Sequence, residues 1–173
     1  AYAVPLSIDM KTTNDFKLYA AGDEKAFERA KKDKRFAAMN IAQDIAVDIN
    51  KDACSVWYNR IKFPNMACDI PNVGNTRMAN CINKIKDSQI LKAEGKTSRD
   101  DIKIFFDAYW EGLKEAYPIF FKNPKEFVIQ KSLGADVFMR VHNDVLSWSY
   151  VNKKGKLTDP KTYVSAFKRI IDN

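Results

Sequence analysis

The sequence predicts a mainly α fold: a single multi-helix domain over residues 1–173, with a short N-terminal strand and minor β structure. Apolar residues recur at three- and four-residue spacing along most of the chain beyond residue 36, which gives each helix one buried face. Proline, glycine, serine and asparagine punctuate those runs at the places where helices start and stop. At 173 residues, 46% hydrophobic and 12% aromatic, one domain has the material for a core and can bury roughly two-thirds of its unfolded surface. Five to seven helices are expected.

Residues 1–10 place Val4, Leu6 and Ile8 on one side of a two-residue period. This reads as a short strand that Pro5 confines to a sheet edge. Residues 36–51 set Ala38, Ile41, Ala42, Ile45, Ala46 and Ile49 on one helical face. Val56, Tyr58 and Ile61 then alternate with polar residues, a brief strand or an extended connector ending at Pro64. Two prolines, two asparagines and Gly74 make residues 64–74 a loop. Asn75 or Thr76 caps the next helix, which turns Met78, Cys81, Ile82, Ile85 and either Ile90 or Leu91 inward. The polar stretch 92–97, with Gly95, reads as a flexible hinge.

The aromatic helix that follows is the strongest local signal. Ile102, Phe105, Phe106, Tyr109, Trp110, Leu113, Ala116 and Tyr117 share one face, and Pro118 stops the run. Ser98 with Asp101 three residues later resembles a capping box, and Asp100 and Asp101 suit the positive end of the helix dipole. Asn123-Pro124 is a cap and first-turn pair, so residues 125–132 are expected to be helical until Gly134 interrupts them. A helix from Ala135 aligns Phe138, Val141, His142, Val145, Leu146 and Ser149. A basic turn at 153–156 leads to Asp159 as cap and Pro160 as start of the last helix, with Tyr163, Ala166, Phe167, Ile170 and Ile171 inward.

The balance of 29 basic to 22 acidic residues, a net +7, attracts polyanions and makes DNA a candidate partner. Phosphate contacts need only cationic side chains on one side of the fold. The candidate nucleic-acid-binding residues are Lys31, Lys32, Lys34, Arg35, Arg60, Lys62, Lys153, Lys154 and Lys156, with Lys92, Lys96 and Arg99 as a further group. Trp57, Tyr58 and Arg60 have the chemistry to stack bases and bind phosphate. Each cluster also reads as an ordinary solvated face balanced by Asp33, Glu94 or Asp100, and aromatics at this density more often fill a core.

No catalytic motif is present: there is no Ser-His-Asp order, glycine-rich phosphate loop or nucleophile elbow. Asp107 with Glu111, and Asp44 with Asp48, stand one turn apart, the spacing for a hard metal ion or an acid–base pair. Such pairs usually sit on a solvated helix face. His142, the sole histidine, falls among apolar helical neighbours and reads as a core residue rather than a general base. Cys54, Cys68 and Cys81 lack zinc or redox spacing, so no metal and no cofactor is expected. No apolar run is long enough for a membrane span, and nothing in the sequence resembles a signal peptide. A cytoplasmic location without a membrane partner is therefore the expectation. The start at Ala1 rather than Met leaves both processing and a preceding segment open.

The string Ser55-Val56-Trp57-Tyr58-Asn59-Arg60-Ile61-Lys62-Phe63, after the helix through Ala42 and Ile49, resembles the S-P-W-Y-N-x-I region of DGQHR-domain proteins. Tyr109-Trp110, the Tyr117-Pro118 stop and Lys131-Ser132-Leu133-Gly134 resemble that family's succession of Y-W, aromatic-Pro and K-T/S-x-G. The resemblance spans about residues 36–150. It implies the C-terminal helical half of a bacterial protein tied to DNA phosphorothioation or phage defence. The Asp-Gly-Gln-His-Arg string itself is absent, which puts any nucleotide or DNA chemistry outside this chain. Two readings follow: a non-catalytic DNA-associated module, or a structural adaptor whose helices pack on a protein partner.

Overall fold

The computed structural model describes residues 34–63, 72–152 and 155–171, with backbone alone at 34–40 and 170–171. Among them are eight helices and one two-stranded parallel sheet, a mainly α architecture with one helix more than expected. The expected strand at residues 1–10 and most of the expected loop lie outside the described residues.

Helix α1 (Lys34–Lys51) buries Ala42, Ile45, Ala46 and Ile49, the stripe legible in sequence. It packs on α2 (Asn75–Lys86), which buries Met78, Ala79, Cys81, Ile82 and Ile85. Small Ala42, Ala46 and Ala79 suit a close helix approach. Between the two helices run β1 (Ile61–Lys62) and β2 (Val73–Gly74), paired in parallel with Ile61 opposite Val73. Residues 53–59 are turns rather than the extended alternative entertained for Val56 to Ile61. Asn50 explains the difference. Its carbonyl accepts from the Asn59 N–H at 3.0 Å and its side-chain oxygen from the Ile61 N–H at 2.8 Å. Asn59 closes the turn at φ 52°, a conformation asparagine tolerates better than most residues.

Neither Asn75 nor Thr76 caps α2. Gly74 holds the N-cap position with no side-chain bond, because β2 runs directly into the helix and Asn75 is buried in its first turn. The expected continuation to Leu91 breaks at Asp87 and Ser88, and α3 (Gln89–Ala93) buries Leu91 separately. The polar stretch beyond is a Schellman cap. Lys96 N–H donates to Leu91 O at 2.9 Å and Gly95 N–H to Lys92 O at 3.1 Å, with Gly95 at φ 68°.

Helix α4 (Arg99–Ala116) is central, in contact with α1, α2 and α8 (Lys161–Ile171). The capping box forms as expected. Ser98 Oγ accepts from the Asp101 N–H at 3.1 Å, and the Ser98 N–H donates to the Asp101 carboxylate at 3.3 Å. Ile102, Phe105, Phe106, Tyr109, Trp110 and Leu113 are all buried, while Ala116 and Tyr117 are partly so. Lys103 and Gly112 are nine residues apart, about two and a half turns, so they face opposite ways. Lys103 meets the 52–60 turn through Asp52, whereas Gly112 meets α8. A methyl group on Gly112 would lie 2.6 Å from Pro160 O and 2.8 Å from Tyr163 Cβ. Only glycine admits this approach without displacement of α8.

After Pro118 comes a single turn, α5 (Ile119–Lys122). The helix expected over residues 125–132 is not formed. Asn123 accepts from Lys125, Glu126 and Phe127 N–H groups and closes one turn, and Lys131 N–H then bonds Val128 O in a second. This path drops Ile129 and Gln130 into the interior. Gly134 is not a break either, but lies in the first turn of α6 (Ser132–Arg140), where the Val128–Ile129 backbone packs against it. The expected single helix from Ala135 is two: α6 ends at Val141, with φ −90° and ψ 0°, and α7 (His142–Val151) follows. The His142 ring engages the Met139 carbonyl at that joint. Helix α8 starts one residue after Pro160, its Lys161 N–H bonded to the Asp159 carboxylate at 3.0 Å. Tyr163, Ala166 and Phe167 are buried as expected.

Candidate nucleic-acid interface

The structure divides the basic groups nominated by sequence. Lys31, Lys32, Lys153 and Lys154 lie outside the described residues, and Lys34 and Arg35 are placed by backbone only, in the first turn of α1. Lys62 and Lys156 are exposed, and Arg60 is half-buried. Arg60 and Lys62 belong to the segment joined to the Lys103 side of α4, whereas Lys156 belongs to the turn on the Gly112 side. The 52–62 segment and the α7–α8 turn thus flank α4 on opposite sides and do not form one patch.

Trp57 is not a base-stacking residue. It is fully buried, with its ring edge-on to Trp110 at a centroid distance of 4.7 Å. The surrounding turn is fastened by polar contacts to three elements. Ser55 Oγ donates to Asp107 at 2.9 Å, Gln130 Nε2 to Val56 O at 2.6 Å, and the Asn50 bonds close the turn from α1. The string carrying the family resemblance therefore serves here as a core plug, with Tyr58, Asn59 and Lys62 left exposed.

Of the two carboxylate pairs, Asp44 is exposed and the other three acids are engaged separately. Asp107 accepts from Lys103 at 2.8 Å as well as from Ser55, Glu111 pairs with Lys114 at 3.4 Å, and Asp48 pairs with Arg99. Burial opposes the charge on Lys103, but Asp107 and then Asp52 lift its pKa above the ordinary lysine value. The Cys54 N–H and then Lys103 hold the Asp52 carboxyl below its usual value. Exposed pairs of this kind contribute little stability. Their effect is to position the turn and occupy the acids. Lys92 with Asp87 and Arg77 with Asp136 are likewise paired.

Among the described residues no three His, Cys, Asp or Glu side chains gather to hold a metal ion. Cys54 is exposed on a turn, whereas Cys81 is buried on α2, where burial and then the charge of Asp136 push its thiol up to about 12.

His142 is buried, with Nδ1 3.0 Å from Met139 O. Burial lowers its pKa from 6.5, opposed by backbone contacts with Met139 and Lys84; the Lys84 charge adds to the lowering and Asp144 opposes it. Because the folded value lies below the unfolded one, the unfolded chain takes the proton first. The neutral ring's contribution is complete above 6.5 and is lost as pH falls through that value toward the folded pKa. With a single histidine in the chain, His142→Gln is expected to flatten the decline of melting temperature between about pH 7 and about pH 5. Equal slopes for the two proteins would show that His142 does not titrate on unfolding.

The basic surface that sequence reading missed lies on α8. Lys161, Ser165 and Lys168 fall on one stripe opposite the buried Tyr163, Ala166 and Phe167, and both lysines are exposed. Among the described residues neither lysine has a carboxylate partner. The preceding turn is folded onto the same helix. Thr162 Oγ1 donates to Lys156 O at 2.7 Å, and the Tyr163 hydroxyl donates to Leu157 O. A charge count would have found this region. Residues 153–173 hold six cations and two acids, so they carry four of the seven net positive charges. Asp159, one of those acids, is spent capping α8.

No helix among the described residues is long and apolar enough to cross a membrane. Comparison with protein-family models, with curated proteins and with solved structures finds no match for this chain.

Proposed function

We propose that this chain is a non-catalytic, DNA-associated helical module, held to the phosphate backbone by the basic end built from the α7–α8 turn and α8. The observation that carries the reading is the placement of charge. The last 21 residues supply most of the excess, whereas the cations near α4 are tied up by Asp48, Asp52, Asp107 and Glu111. Unspent lysines near one another on a rigid helix are what phosphate contact requires. The non-catalytic part rests on the same pairing, since three of the four carboxylates at catalytic spacing, Asp48, Asp107 and Glu111, already serve as ion-pair partners. The motif order shared with DGQHR-domain proteins is the support for a bacterial DNA-modification, regulation or phage-defence setting.

Changing Lys153, Lys154 and Lys156 together to Glu is expected to weaken binding to all DNA sequences alike. It should also flatten the dependence on salt by roughly one unit of log–log slope per lost contact. Fluorescence anisotropy across a salt series measures both. Wild-type protein that binds no duplex at about 50 mM salt would defeat the proposal. The adaptor reading would then lead, with Val128, Leu133 and Val137 in its favour, since all three are about half exposed or more around the start of α6.

A further inference from the structure

We infer that the outward stripe of α8 is itself a duplex-DNA contact that grips phosphates without reading base sequence. This rests on the DNA-associated reading above and deepens it by naming the two α8 lysines and their mode of contact. Lys161 and Lys168 are seven residues apart, so their stems leave the helix about 10 Å apart along one line. The hydrogen bonds from Thr162 and Tyr163 hold the turn bearing Lys156 against the N-terminal end of that line. Two exposed ammonium groups thus stand along one helix line, and the exposed Lys156 belongs to the turn fastened to that helix's N-terminal end. Gly112 lets α8 seat directly on α4, with Pro160 O and Tyr163 Cβ at less than side-chain distance.

The chemistry of the stripe decides the mode. Between the two lysines lies Ser165, so the stripe has no Asn or Gln side chain to grip an adenine edge. Nor does it carry an aromatic ring on which unpaired bases could stack, the device single-strand binders rely on. Lysine is a compact point charge on a flexible stem, suited to phosphate oxygens at varied positions. Arg169 flanks the stripe but already has a partner within the protein, so it is not counted among the contacts.

The test uses the full chain and two duplexes of about 20 base pairs with unrelated sequences, plus one of the component single strands. Lys161→Gln/Lys168→Gln is measured beside Lys161→Glu/Lys168→Glu, with circular dichroism to confirm that α8 remains helical in the milder variant. Loss of two contacts removes about 1.8 units of log–log salt slope and lowers affinity roughly 50-fold at about 0.1 M salt. The loss should be equal for both duplexes, and the wild-type chain should prefer either duplex to the single strand. Wild-type protein that binds no DNA defeats the underlying functional reading. Wild-type binding with unchanged slope and affinity in both variants defeats this inference alone. A loss that differs between the duplexes, or tighter binding of the single strand, overturns the mode proposed for the stripe.

Discussion

Trp110→Ala is expected to destabilise the domain by roughly 3 to 5 kcal/mol, the range for removing a large aromatic from a closed core. Trp110 is fully buried where four rings converge: Trp57 at 4.7 Å, Tyr109 at 5.8 Å, and Phe106 and Phe138 each at 6.2 Å. Those rings come from the 52–60 turn, α4 and α6, so the void would open where three parts of the chain meet. The surroundings cannot readily collapse into it. Trp57 is held by the fastened turn, and Tyr109 is fixed by its hydroxyl, which donates to Phe138 O at 2.6 Å. Trp110→Phe should lose much less, because it keeps a ring and also removes an indole N–H that has no partner among the described residues. Urea denaturation followed by far-ultraviolet circular dichroism measures both variants. Equal losses for Ala and Phe, or an Ala variant within about 1 kcal/mol of wild type, would show that this cluster is not the keystone of the core.

The parts of the fold legible in sequence are those governed by local rules. The stripe on α4 and its Ser98–Asp101 box follow from helical periodicity and capping chemistry, and both appear as read. The errors arise where tertiary contacts override those rules. Asn123-Pro124 has the composition of a helix start, but the chain must bend to insert Ile129 and Gln130, and one turn is all that forms. Val141 sits within a continuous apolar pattern, yet the bond from His142 to Met139 marks a joint there that no periodicity reveals. The basic site was half legible for a similar reason. Sequence exposes the cluster at 153–156 because its lysines are adjacent. Lys161 and Lys168 are scattered among apolar residues and align on one face only when α8 is drawn as a helix with its inner face occupied. Conversely, Trp57 beside Tyr58 and Arg60 imitates a base-stacking group, and only packing shows that its ring is spent on Trp110.

Gly134→Ala sets two effects of opposite sign against each other, and the steric one is expected to win. In an unobstructed helix the added methyl group would stabilise by about 1 kcal/mol through reduced backbone freedom in the unfolded chain. Here that methyl carbon would fall 2.2 Å from Val128 O, 2.5 Å from Ile129 Cα and 2.7 Å from Ile129 O. All three are backbone atoms, so no rotamer change relieves the overlap. The first turn of α6 must part from the preceding bend. That displacement would pull on buried Ile129 and on Gln130, whose side chain reaches Val56 O at 2.6 Å and helps hold the Trp57 turn. A net loss of roughly 1 to 3 kcal/mol is expected, the range for overpacking a site that cannot repack. Gly95→Ala supplies the comparison: a methyl group there meets nothing within 4 Å, but the residue has φ 68°. That variant should lose about 1 kcal/mol from strain alone and leave the Trp57 environment intact. Tryptophan fluorescence and denaturant midpoints measured together separate the two cases. A Gly134→Ala protein as stable as wild type would mean that α6 does not seat on the 128–131 bend, and with it would fall the link proposed from that bend to the Trp57 plug.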